Sequence, residues 1–126
     1  MRTYQLILAA IVAILLSACG QTSGLKSPQS RPLQIDDVGV EIAESYPVQV
    51  FAIIKATLPD GCSSKGVITQ SREGNTITIA AQMNHSGDDV CTMIVSFVDE
   101  RIALEGDFPP GEYLLKVNDV ETKFTI

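Results

Sequence analysis

"NTITIAAQM", residues 75–83, decides the fold. Read in steps of two, Ile77, Ile79, Ala81 and Met83 fall on one side, and Thr76, Thr78, Ala80 and Gln82 on the other. Strand side chains alternate between two faces, whereas a helix gathers its apolar residues every three or four positions. The stretch therefore reads as a strand with one face in a core. The same period returns in "VETKFTI" (120–126), where Val120, Thr122, Phe124 and Ile126 alternate with Glu121, Lys123 and Thr125. In "EYLLKVN" (112–118), Tyr113, Leu115 and Val117 are predicted to point inward. "VQVFAIIKATL" (48–58) is apolar on both faces, as suits a long strand in the middle of a sheet. Phe51 and Ile53 of that run oppose Val48, Val50, Ala52 and Ala56. They are expected to be core, covered by a loop, a bend or a strand over 92–98, rather than an exposed patch.

Turn chemistry separates these runs. "REGN" (72–75) and "VNDV" (117–120) read as hairpin turns, and "LPDGC" (58–62) and "FPPGE" (108–112) as Pro/Gly turns. A charged triplet, Asp99 to Arg101, interrupts an apolar strand and predicts a bend or bulge. After the first 18 residues no stretch carries ten residues of helical period. Short strands at such spacing predict an all-β chain, a sandwich of about seven antiparallel strands. The chain has no tryptophan, four phenylalanines and three tyrosines, so its core must be largely aliphatic.

The amino terminus has a different character. Arg2 is its only charge, and residues 6–16 ("LILAAIVAILL") form an apolar run of 11 residues. A spanning helix needs about 20, so the run reads as a secretory signal peptide over 1–18. Its end, Leu16-Ser17-Ala18-Cys19, resembles the lipobox of bacterial lipoproteins: a leucine and two small residues before a cysteine. That resemblance implies diacylglyceryl and palmitate-class acylation at Cys19, with cleavage just before it. Gly20 is not the aspartate that retains some such lipoproteins in the inner membrane. The implied address is thus the cell envelope, on the periplasmic face of an outer membrane in preference to the cytoplasmic membrane's outer face. Residues 19–35, Gly-, Ser-, Gln- and Pro-rich ("GQTSGLKSPQSRPL" over 20–33), read as a flexible tether, and 36–126 as the domain.

Once Cys19 is given to lipid, Cys62 and Cys91 remain, in a compartment that favours oxidation. The expectation is a Cys62–Cys91 disulfide; two free thiols are the alternative. A metal site is not expected, because there is no CxxC and His85 is the only histidine.

"FPPGEYLLKVNDVETKFTI" (108–126) resembles the closing hairpin of bacterial immunoglobulin-like domains, where a Pro-Gly turn precedes a tyrosine-bearing strand and an Asn/Asp turn. Together with "LPDGC", "QSREGNTITI" and the second cysteine, this ending is similar to small single-domain lipoproteins of unassigned function. The resemblance implies an immunoglobulin-like β-sandwich and carries no catalytic residues. It lacks the strand tryptophan of antibody domains, and Cys62 falls in a turn rather than mid-strand.

Chemistry-bearing clusters are sparse. His85 sits in "MNHSGDDVC" beside Ser86, Asp88 and Asp89, a local grouping unlike triads assembled from separated segments. The acid pairs Asp36-Asp37, Asp88-Asp89 and Asp99-Glu100 read as solvated charge rather than calcium ligands, lacking an EF-hand spacing. From Cys19 onward there are 8 Lys+Arg against 15 Asp+Glu, which argues against a nucleic-acid partner. The sequence therefore predicts a non-enzymatic, cofactor-free lipoprotein that binds or scaffolds, with membrane lipid and an envelope protein or glycan as partners. The alternative is a secreted-protease inhibitor presenting the 58–64 loop.

Overall fold

A computed structural model describes residues 28–88 and 90–126. The expected signal peptide (1–18), Cys19 and the expected tether up to residue 27 lie outside the described residues. Eight strands follow in order: β1 (Gln29–Pro32), β2 (Ile35–Ala43), β3 (Gln49–Leu58), β4 (Ser63–Glu73), β5 (Thr76–His85), β6 (Ser96–Ala103), β7 (Glu112–Val117) and β8 (Val120–Thr125). They form two sheets, one of β2-β3-β6 and one of five strands in which β5 is central. The described chain is all-β, a sandwich as the alternating runs require.

The inward rows are those read from the sequence. Ile77, Ile79, Ala81 and Met83 of β5, and Tyr113, Leu115 and Val117 of β7, face Val50, Ala52, Ile54, Ala56 and Leu58 of β3 across an aliphatic core. No polar or charged side chain is buried among the described residues. The turns also fall where expected. Gly74 (φ 59°) closes the β4–β5 hairpin and Asn118 (φ 51°) the β7–β8 hairpin, both left-handed positions that suit Gly and Asn. One corner of the core is aromatic: Tyr113 stacks on Phe124 at 5.2 Å between ring centres, and Phe108 lies 5.4 Å from Tyr113. The Tyr113 hydroxyl donates to the Pro109 carbonyl at 2.8 Å, tying β7 to the turn before it. Tyr113→Phe is expected to lower stability by about 1 kcal/mol in chemical denaturation, one hydrogen bond's worth. An unchanged midpoint would mean that this bond does not hold the turn.

Four expectations are corrected. The folded domain begins near residue 28, not 36: β1 pairs with β5, and Leu33 is 1% exposed in the core. All four β1 residues are exposed, so "QSRP" has no apolar alternation to betray a strand. The strands are not all antiparallel, because β5 and β7 pair in parallel. Between them the chain crosses to the other sheet, reverses once as β6, and returns, which restores its direction.

The charged triplet makes no bulge. Asp99, Glu100 and Arg101 pair in unbroken register with Lys55, Ile54 and Ile53. β6 is an edge strand, so inward-facing Glu100 can reach Lys65 of β4 across the open side of the sandwich, and the ladder is undisturbed. Irregularities fall elsewhere, between Ile35 and Asp37 and between Lys65 and Ile68. At the second, a Cβ on Gly66 would come within 2.8 Å of the Gln82 carbonyl oxygen, so only glycine fits without a shift.

Phe51 and Ile53 are not core. They are half-buried on the outer face of the three-stranded sheet, because residues 96–103 pair beside β3 instead of covering it. The Arg101 guanidinium lies 3.4 Å from the centre of the Phe51 ring and also bonds Glu41 at 2.8 Å, so a cation shields the aromatic ring. The bond to Arg101 holds the Glu41 carboxyl below its ordinary value.

Candidate functional site

The end of the sandwich where β3 stops and β5 stops brings together most of the residues that could carry chemistry. After Leu58 the chain turns tightly. The Asp60 carboxylate accepts the Ser63 hydroxyl and the Cys62 N–H, both at 2.9 Å, bonds that hold Asp60 below its ordinary carboxyl value. Cys62 is joined to Cys91 with 5.4 Å between Cα atoms, and the disulfide staples the start of β4 to the 86–95 connection. It sits at the end of the fold rather than between the sheets in mid-strand. The Gly61 N–H donates to the Thr92 carbonyl at 2.9 Å, and the Ser86 N–H to the Cys62 carbonyl at 3.0 Å. Turn and connection are thus laced together by backbone as well as by sulfur.

His85, the last residue of β5, is half-buried beneath this staple. Its Nδ1 accepts the Gly87 N–H at 3.0 Å, which leaves the proton of the neutral ring on Nε2. Nε2 lies 3.8 Å from Asp60 and 3.7 Å from the Cys91 sulfur. The ring's free lone pair, on Nδ1, is occupied by the Gly87 N–H, and among the described residues no hydroxyl bonds to His85, so no triad is assembled around it. The ligating atoms of Asp60, Cys62, His85 and Cys91 lie within 4.8 Å of one another, a convergence the sequence reading missed. Its one textual signal was that Cys62 and His85 stand beside turn-forming residues, Gly61 and Ser86-Gly87. With both sulfurs in the disulfide, one nitrogen and one carboxylate remain, fewer than the four donors of a structural zinc site.

Two of the acid pairs meet in part, and the third lies apart. Asp36, Asp37 and Asp99 line a shallow hollow of about 340 Å³ outside the three-stranded sheet, with Lys55 among them. Glu100 turns to Lys65, and the Asp88 carboxylate accepts the Ser86 hydroxyl at 2.7 Å.

The backbone of the 58–64 loop is partly engaged, the Gly61 N–H by the Thr92 carbonyl and the Cys62 carbonyl by the Ser86 N–H. The element with exposed apolar side chains is its neighbour. Val90, Met93, Ile94, Val95 and Phe97 are all exposed, Met93 to 91% and Phe97 to 82%. Other large exposed apolar residues among those described (Ile42, Tyr46, Val67) are scattered singly, which is ordinary. Five within eight positions, on a segment pinned by a disulfide, form a surface that calls for a contact.

Residues 52–126, from within β3 to the last residue, match the model of the ORF11 beta-sandwich domain. The chain belongs to that family. The family match includes the whole stapled end, from Asp60 through the 90–97 segment. Among curated proteins, the chain is similar to "Uncharacterized 10.2 kDa protein in HgiCIIM 5'region" of Herpetosiphon aurantiacus. The two are 38% identical over 88 residues, 70% of this chain and 94% of the relative. A second protein of that organism, "Uncharacterized 10.2 kDa protein in HgiBIM 5'region", is 38% identical over 76 residues, 60% of this chain and 93% of the relative. No solved structure matches the chain significantly.

Proposed function

We propose that this ORF11 β-sandwich protein is a lipid-anchored envelope lipoprotein whose domain binds rather than catalyses, with the 90–97 segment as its contact surface. The observation that carries the binding role is the run of exposed apolar side chains outside a core that is already complete. The non-catalytic reading draws on the absence of buried polar side chains among the described residues. It also draws on Asp60 and Glu41, surface carboxyls displaced chiefly by their own hydrogen bonds. Catalytic sites concentrate desolvated groups with strongly shifted titration. Anchoring rests on Leu16-Ser17-Ala18-Cys19. One acyl chain binds a bilayer only marginally, and two or three hold firmly, each buried CH₂ contributing about 0.8 kcal/mol.

The inhibitor reading finds less support, because an inhibitory loop must offer a free, protruding backbone and that of Gly61 is bonded to Thr92.

Growth of the native host with labelled palmitate tests the anchor. Label is expected on the chain, and Cys19→Ser is expected to abolish it and move the protein from the membrane fraction to the soluble one. Unlabelled wild-type chain would refute the anchor.

A further inference from the structure

We infer that the 90–97 segment rests on the bilayer to which the chain is anchored, so that the domain lies with its stapled end on the lipid. The inference rests on the anchored reading above and specifies the partner of that surface. Its ground is where the described chain starts. β1 begins at Gln29, which pairs with His85 on one edge of β5, while Ser63 pairs with the same His85 on the other edge. The chain therefore enters the domain at the end that holds the disulfide and the exposed apolar run. Nine residue steps lead from Cys19 to Pro28, where the described chain begins. Their contour spans at most about 32 Å, so an anchor at Cys19 keeps this end near the membrane. The opposite end, with Tyr46 and Gly74, is about 33 Å further off along the ten residues of β5.

The chemistry suits a lipid interface. Val90, Met93, Ile94, Val95 and Phe97 are exposed apolar side chains of the kind that enter the boundary between headgroups and acyl chains. The disulfide and the bond from Gly61 to Thr92 hold the segment in place, so little ordering is needed on contact. No lysine or arginine falls between His85 and Asp99, and Asp88 and Asp89 precede the apolar run. A surface with that charge has no attraction for anionic lipid, which points to zwitterionic headgroups.

The chain has no tryptophan, so one introduced indole reports its own surroundings. The lipidated full-length protein is reconstituted into phosphatidylcholine vesicles with brominated acyl chains, which quench indole on contact. Ile94→Trp, with Met93→Trp as a second reporter, is expected to lose fluorescence several-fold relative to unbrominated vesicles. Tyr46→Trp, at the far end, is expected to keep it. Protein that floats with the vesicles but is unquenched at both 93 and 94 would overturn the inference and leave the anchor standing; a surface reserved for a protein partner gives that result. Quenching at position 46 as well would overturn it too, as the domain would have no fixed orientation. Protein that does not float at all would overturn both readings.

Discussion

Replacing both cysteines, Cys62→Ala with Cys91→Ala, is expected to lower the stability of the domain by about 3.5 kcal/mol. The bond closes a loop of 29 residues, and the chain-entropy model assigns that value to the unfolded-state freedom it removes. For a domain of this size the melting temperature should fall by about 15–25 °C, read by calorimetry or circular dichroism. Reduction of the wild-type protein with excess dithiol should bring it to the same midpoint as the double variant. Agreement of the two would assign the whole effect to the cross-link. A reduced wild type that melts well above the double variant would mean that the half-buried cysteine side chains contribute apart from their bond.

Asn118→Ala is expected to cost about 3 kcal/mol, an unusual loss for one half-exposed polar residue. β5 has β1 along one part of an edge and β7 along another, and the two leave a gap at Ala80 and Ala81. Asn118 fills it with side-chain bonds. Its Oδ1 accepts the Ala81 N–H at 2.9 Å, and its Nδ2 donates to the carbonyls of Leu33 at 2.7 Å and Ala81 at 2.9 Å. Truncation leaves a backbone N–H and a carbonyl short of partners, at about 1–3 kcal/mol each when buried. It also places alanine at φ 51°, a conformation that costs a side-chain-bearing residue about 1–2 kcal/mol. The variants should therefore rank wild type, then Asn118→Gly, which tolerates the angle but makes no bonds, then Asn118→Ala. Denaturant midpoints in which glycine matches wild type would show that the angle alone matters.

How much of this was legible depends on where apolar residues recur. β5, β7 and β8 announce themselves because each buries one face, and a period of two survives wherever burial is one-sided, whereas β3 is betrayed only by a run apolar on both faces. β1 is illegible for the complementary reason. Its bonds are backbone bonds on a sheet edge, and they ask nothing of the side chains of Gln29, Ser30, Arg31 and Pro32. The parallel β5–β7 pairing follows from the path of the chain between sheets, which no local pattern encodes. "VCTMIVSF" (90–97) misleads in part, since so apolar a run suggests a cover for the outer face of β3. Only Ser96 and Phe97 reach that sheet, at register with Leu58 and Thr57, and the Phe97 side chain is exposed there. The meeting of Asp60, His85 and the disulfide required knowing that β3 and β5 run in the same direction and stop at the same end. Asn118 reads as a turn residue, and that is half of its work. Its partner Leu33 lies 85 positions away in the chain.

That separation has a bearing on the order of assembly. Under the export proposed above, the chain would emerge from its first residue onward, with Gln29 to Leu33 out long before their partners. β1 has nothing to pair with until β5 follows, and Leu33 is not clamped until position 118 has crossed. Contacts of such range make folding slow, because chain-closure entropy is lost before any contact rewards it. The first strand is consequently among the last to lock, and in the anchored arrangement proposed above it would do so only when export is nearly over.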